Sequence, residues 1–337
     1  MFNLKKYVSG FLLLIGLIVL SACNNGDSDD SSASNGDSKN EGNDFPDQEI
    51  ELIVPTAAGG GTDMVARQLV DIAQEELGES IGVINVEGGS GSVGMTQAAN
   101  SNPDGYTATM VIAELAMYEH LGTSSLTPDE FEPVALINYD PAALTVPIDA
   151  PYDTLEEFVQ YAEENPGKVN VGNAGPGSIW HVAAVNFENA AGIELNHIPH
   201  EGAAPAVTAL AGNHIDAVTV SPAEIRTQLE AGSVKVLGVM DEERNDLIPD
   251  VPTFSEAGID IEPFGTWRGI TVPSETPEEV VAVLEDAFVT AGEDERFIEF
   301  MEENGLGVDV RGSSEFNDFI EENSSLFGEI IPDMEIE

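Results

Sequence analysis

Two glycine-rich turns hold most of the residues able to do chemistry. The first is Pro55-Thr56-Ala57-Ala58-Gly59-Gly60-Gly61-Thr62-Asp63. The second is Gly172-Asn173-Ala174-Gly175-Pro176-Gly177-Ser178, with His181 one turn further on. Each follows a short apolar run and precedes a segment of helical periodicity. Glycine lets a backbone approach a ligand closely, and a helix start offers free N–H donors at the positive end of its dipole. Such a turn can hold a carboxylate without a basic side chain. The competing roles are structural: a tight packing turn, with Thr62 or Asp63 capping its helix. Ser178 either caps its helix or donates to a ligand, and His181 either points into a cleft or packs on the helix. The second turn lacks the G-x-G-x-x-G spacing of a dinucleotide site and the lysine of a phosphate loop.

Strands and helices in alternation must position these turns. Ile50–Val54 (IELIV), 81–86 and 106–112 read as strands, separated by helical patterns over 63–77 and 92–100. That order implies a parallel sheet with helices on both faces. Further strands are expected at 134–137 and 143–146. A second series then runs 154–165 helix, 168–171 strand, 178–191 helix, 195–198 strand, 203–211 helix, 215–220 strand, 222–231 helix, 234–240 strand. Residues 267–272 form a late strand, and helices from Pro277 onward return to the first unit. The expected fold is therefore two α/β lobes, each a mainly parallel sheet flanked by helices, with the ligand cleft between them. Ligands of open α/β sheets bind at the carboxyl ends of the strands, where both glycine turns sit. Lobe 1 is expected over 46–147 and 261–337, and lobe 2 over 148–260. The hinge crossings are expected near 147–152, which carries two prolines, and near 254–265.

The ends and the composition set the setting. Lys5 and Lys6 precede a short apolar run, and Leu20-Ser21-Ala22-Cys23 looks like a bacterial lipobox. Residues 1–22 are expected to be a leader and Cys23, the single cysteine of 337 residues, the lipidation site. One cysteine allows no intrachain disulfide. Residues 23–45 are Asn, Asp, Ser and Gly almost throughout, a tether that buries too little apolar surface to order itself. From Cys23 onward 9 basic residues face 62 acidic ones, a formal net charge of −53. Repulsion excludes nucleic acid as a partner. Acids spread along the whole chain read as a solvated surface suited to high external salt, rather than as a cation-collecting patch. At molar salt the screening length is about 3 Å, so this field would not exclude an anionic ligand.

From residue 45 to near the C-terminus the chain resembles the receptor proteins of tripartite tricarboxylate transporters, the Bug family. The resemblance is carried by IELIVPTAAGGGTDMVARQL, VINVEGGSGSVGMTQAANSNPDGYT, VGNAGPGSIWH, HIPHEGAAPAVTALAGNHIDA, VPTFSEAG and TWRGITVPSETP, in that order. It implies the type II periplasmic-binding-protein fold and the binding of di- or tricarboxylates, acidic amino acids or aromatic acids. It also implies membrane permease subunits as partners, an extracytoplasmic location, and grip on the ligand carboxylate through backbone groups and water. The expected ligand set is Thr56, Ala57, Gly59, Gly60, Gly61, Thr62, Asp63, Gly175, Pro176, Gly177, Ser178, His181, Gly202, Ala203 and Arg268. No cofactor and a monomeric state are expected. One departure stands out. Where such receptors read Tyr-Lys-Gly or Tyr-Arg-Gly, this chain reads His200-Glu201-Gly202. Glu201 facing solvent would be one more surface acid; facing the cleft, it would alter ligand preference.

Other chemistries are weaker. His181, His197, His200 and His214 crowd one lobe, but Pro199 interrupts them and no cysteine joins them, so metal capture is a minor alternative. Ser178 and His181 lack a nucleophile-elbow context, so no enzyme is expected. Arg67 and Arg268 either touch the ligand or form surface ion pairs. A sensor that shows its captured ligand to a membrane kinase remains an alternative to a transport receptor.

Overall fold

The computed structural model describes residues 45–334. The expected leader, Cys23 and most of the tether lie outside the described residues. The chain opens with β1 (Ile50–Val54), α1 (Gly61–Leu77), β2 (Ile81–Asn85), α2 (Ser92–Ala99), β3 (Thr107–Ile112), α3 (Tyr118–Leu121) and β4 (Phe131–Pro141). Ile50, Leu52, Ile53 and Val54 are all fully buried, because the strand is covered on both faces and its apolar run need not alternate. β1 pairs in parallel with β2 and β3, as the strand–helix–strand order requires.

The second series follows as β5 (Ala143–Pro147), α4 (Leu155–Glu164), β6 (Asn170–Asn173), α5 (Ile179–Ala191), β7 (Asn196–Pro199), α6 (Ala203–Ala211), β8 (Ala217–Val220), α7 (Pro222–Glu230) and β9 (Val234–Val239). Its sheet has the order β7-β6-β8-β5-β9, parallel across β7-β6-β8 and antiparallel at β5. The chain then returns through β10 (Gly265–Pro273), α8 (Glu278–Glu293), α9 (Glu295–Asn304), β11 (Arg311–Gly312) and α10 (Ser313–Ile330). The first sheet is thus β11-β4-β10-β3-β1-β2, with β10 antiparallel to both β3 and β4. Each sheet has a parallel βαβ part, and the strand by which the chain enters it from the other sheet, β5 or β10, runs against that part.

The first change of sheet comes earlier than the two prolines suggested. β4 belongs to the first sheet and β5 to the second, so the crossing is at Pro141–Ala143 and not at 147–152. Pro147 merely ends β5, its ring lacking the N–H that would extend the ladder. The return crossing at Phe264–Gly265 falls inside the expected stretch. Three backbone bonds tie the crossings at one level. Ala142 N–H donates to Phe264 O (2.8 Å), Met240 N–H to Ala142 O (2.8 Å), and Phe264 N–H to Met240 O (2.9 Å). Around them the apolar core is continuous, with Trp267 edge-on to Phe316 at 5.7 Å and Phe264 edge-on to Phe327 at 5.6 Å. Burial of each such ring stabilises the fold by about 1.5–3 kcal/mol. α8 and α9 pack on α1, whereas α10 lies on β4 and reaches α5.

Candidate functional site

The first glycine turn is held in shape by Asp63. Neither Thr62 nor Asp63 is the helix cap: the cap position of α1 is Gly60, which offers no side chain. Asp63 instead reaches back and accepts from Gly59 N–H (2.8 Å), from Arg67 (3.0 Å) and from Asn85 Nδ2 (2.8 Å). Asn85, at the end of β2, also donates to Thr56 O (3.0 Å) and so ties both ends of the turn to the neighbouring strand. Burial alone would push the Asp63 carboxyl up, but the bonds from Arg67, Gly59 and Asn85 outweigh it and hold it at about 2. Asp63 is therefore a permanently charged anchor, buried and fully occupied. Gly59, at φ 80°, is the position that requires glycine; Gly60 has an ordinary φ of −77°. Ala57 and Gly59 are exposed on the turn, and the start of α1 presents its first N–H groups with no side-chain cap.

The second turn is more self-contained than a simple cradle. Gly175 N–H donates to Asn173 Oδ1 (3.2 Å), Gly177 N–H to His181 Nδ1 (3.1 Å), and Ser178 N–H to Gly175 O (3.1 Å). Ser178 does cap α5, accepting from His181 N–H at 3.2 Å. His181 is buried and serves the turn, not the cleft. Burial, and then the neighbouring His197 ring at 5.0 Å, lower its pKa to about 4, so it is neutral at pH 7 and free to accept from Gly177. The donors expected from Gly175, Gly177 and Ser178 are thus taken up within the chain. The N–H groups left toward a ligand are those of the helix starts.

Six of the predicted residues line two concavities: Gly175, Pro176 and Gly202 the first, and Gly61, Thr62 and Arg268 the second. One, of about 510 Å³, lies within the second lobe and is lined by Ala174, Gly175, Pro176, Pro199, His200, Glu201 and Gly202. Glu201 is exposed and lines this concavity, not the cavity between the lobes. Ala203 follows at the first position of α6, whose cap Gly202 has φ 118° and no capping side chain. The other, of about 300 Å³, lies between the lobes. From the first lobe it takes Gly61, Thr62, Met64, Asp140, Thr266, Arg268, Asn304 and Leu306; from the second, Trp180, Ser221, Ala223 and Glu224. We regard this cavity as the functional cleft because both lobes build it and the starts of α1, α5 and α7 converge there. Three positive dipole ends around one small space suit an anion. Thr56, Ala57, Gly59, Gly60, Gly177, Ser178 and His181 line neither concavity; they shape the turns that do.

Arg268 is in the cleft wall but fully engaged. Its guanidinium pairs with Asp140 (3.0 Å), donates to Asn138, and donates through Nε to Thr62 Oγ1 (3.2 Å). Asp140 accepts in addition from Gly307 N–H (2.7 Å). With side chains 13% and 5% exposed, this is a buried pair and not the surface pair that Arg268 alone suggested. Arg67 likewise serves Asp63. Among the described residues every arginine is ion-paired to an acid. The cavity thus presents helix starts, and the guanidinium in its wall is already engaged.

Two features were missed from sequence. Glu224 is exposed and opens onto the cavity. The protein crowded around the cavity pushes its carboxyl up to about 7, against the charge of Arg268. The run Ser221-Pro222-Ala223-Glu224 after a buried strand is a helix-start signature, and that signal could have flagged the position. Arg226, two residues on, donates to Glu303 O (2.6 Å) and Glu302 O (3.4 Å) at the end of α9. It thereby joins the second lobe to the carboxyl end of a first-lobe helix, where a cation suits the dipole. The histidines do not converge: His197 pairs with Glu188 (2.8 Å) and His200 sits on Ile198 O (3.0 Å). Among the described residues no group of three metal-ligating side chains comes together. No helix of the described residues is long and apolar enough to cross a membrane.

A fold of two α/β lobes with a polar cavity between them, ringed by helix starts, defines a two-lobe solute-binding protein. The model of the tripartite tricarboxylate transporter family receptor matches residues 65–336, and the chain belongs to that family of solute-binding receptors. A TctC solute-binding protein from Polaromonas superposes with a TM-score of 0.80 at 37% identity, covering 86% of this chain and all of that one. MatC from Rhodopseudomonas palustris, solved with bound malate, gives 0.69 at 29% identity, covering 85% and 100%. A UPF0065 protein of Bordetella pertussis is 31% identical over 295 residues, 86% of this chain and 90% of the relative.

Proposed function

We propose that this chain is an extracytoplasmic receptor that captures a small carboxylate in the inter-lobe cavity and delivers it to the membrane subunits of a tripartite tricarboxylate transporter. The observation that carries the reading is the convergence of α1, α5 and α7 on a cavity whose only arginine is already neutralised. Each N–H aimed at a carboxylate is a hydrogen bond to charge, worth about 1.5–3 kcal/mol, so two or three suffice without a basic side chain. Malate in MatC is consistent with this class of ligand. The three backbone bonds at Ala142, Met240 and Phe264 mark the hinge about which the lobes close. Attachment to the outer face of the membrane through lipid on Cys23 completes the proposal, and Cys23→Ala is expected to release the protein from the membrane fraction.

A thermal-shift screen of mono-, di- and tricarboxylates in molar salt tests the reading, because a ligand that binds the native state raises its stability by mass action. At a hundred times Kd the gain is about 2.7 kcal/mol. Stabilisation by a small carboxylate, saturable and confirmed by calorimetry, is the expected result. A response to divalent metals with none to any carboxylate would overturn it.

A further inference from the structure

We infer that Glu224 makes the inter-lobe cavity selective for carboxylates that also carry a cationic nitrogen; the inference rests on the carboxylate-receptor reading above. Three charged side chains line the cavity: Asp140, Arg268 and Glu224. Asp140 and Arg268 neutralise each other at 3.0 Å. Glu224 has no cationic partner within ion-pair distance among the described residues. The lining therefore carries one acid with no cation beside it, in a space of about 300 Å³. That is the low end for a small-molecule site, so a bound ligand lies close to every wall.

Glu224 stands in the first turn of α7, its N–H donating to Ser221 O at 3.1 Å, so the helix start sets where its side chain meets the cavity. A ligand whose carboxylate lies against the helix starts must then bring the rest of its polar groups past Glu224. An ammonium there gains a charge-assisted bond to the one acid of the lining that has no cation beside it. A ligand without a cation faces like charge, or forces Glu224 to take up a proton. The protein crowded around the cavity already pushes this carboxyl up to about 7, so the ionised form lacks compensation in the empty site.

Calorimetry at pH 8 with matched pairs tests this on the full chain and on Glu224→Gln. The pairs are L-aspartate with succinate, L-glutamate with glutarate, and L-phenylalanine with 3-phenylpropanoate. Glutamine keeps the size and polarity of the side chain without its charge, and thermal unfolding checks that the variant is folded. The expected result is that the amino member of the binding pair is tighter by about ten- to a hundred-fold, the value of one charge-assisted bond, and that Glu224→Gln removes the difference. Tighter binding of the des-amino member, or a preference that survives Glu224→Gln, would overturn the inference while leaving the carboxylate reading intact. No binding of any of the six compounds, with another carboxylate binding in the thermal screen, would also overturn the inference and leave the carboxylate reading standing.

Discussion

Asp63→Asn distinguishes an anchor of the first turn from a ligand contact. The wild-type carboxylate is 3% exposed and takes hydrogen bonds from Gly59, Arg67 and Asn85. Its pKa falls from 3.8 to about 2 on folding. At 1.36 kcal/mol per unit, that shift contributes about 2 kcal/mol to stability at pH 7. The sign follows from proton counting. A depressed carboxyl pKa means that the unfolded chain binds more protons between pH 4 and pH 2. The contribution is thus complete above about pH 4 and is lost as pH falls through 2. Asparagine cannot hold the charge, so the variant should unfold at lower urea at pH 7, by about 2 kcal/mol. The gap between variant and wild type should close below pH 4. Paired urea titrations at pH 7, 4 and 3 read both effects. Equal stability at pH 7, or a gap that persists unchanged at pH 3, would refute the anchor role. A loss of ligand affinity with stability unaltered would move Asp63 from the frame to the ligand.

Further expectations follow from neighbouring residues. His181 has a pKa lowered from 6.5 to about 4; its contribution is therefore complete above pH 6.5 and is lost as pH falls toward 4. At most about 3 kcal/mol is at stake, and His181→Asn, which keeps an acceptor for Gly177, should flatten that slope in urea melts. Gly175 sits at φ 110°, so Gly175→Val should distort the second turn and cut ligand affinity at least ten-fold in calorimetry, with a fall in Tm. Arg268→Ala strands Asp140 in a buried site and should cost about 3–5 kcal/mol in chemical unfolding, so any loss of binding must be read on the folded fraction. Arg226→Ala removes the link to the end of α9 and should make the unliganded protein larger in small-angle scattering and its ligand release faster.

The sequence was most legible where a local signal is strong. IELIV, the helix that follows it and the series from β6 to β9 all have periodicities that burial then explains. The first crossing was misplaced because Pro141 is a single proline between buried, extended residues, whereas the pair at 147 and 151 advertises a break that the backbone does not use for changing sheet. Asp63 looked like a cap or a ligand group; its role depends on Asn85, 22 residues away and on the next strand. The second turn looked like a ring of free N–H donors until His181 and Asn173 were seen to occupy them. Glu224 and Asp140 enter the cleft only through the meeting of two lobes, which no local window of sequence contains.

The account stands most directly on where the ligand carboxylate sits. A crystal structure with the tightest carboxylate from the thermal screen answers that. The account predicts carboxylate oxygens within hydrogen-bond distance of the first backbone N–H groups of α1 and of the helix starts opposite, with Arg268 still bonded to Asp140. A carboxylate held by an arginine side chain, or a ligand outside the inter-lobe cavity, would contradict it.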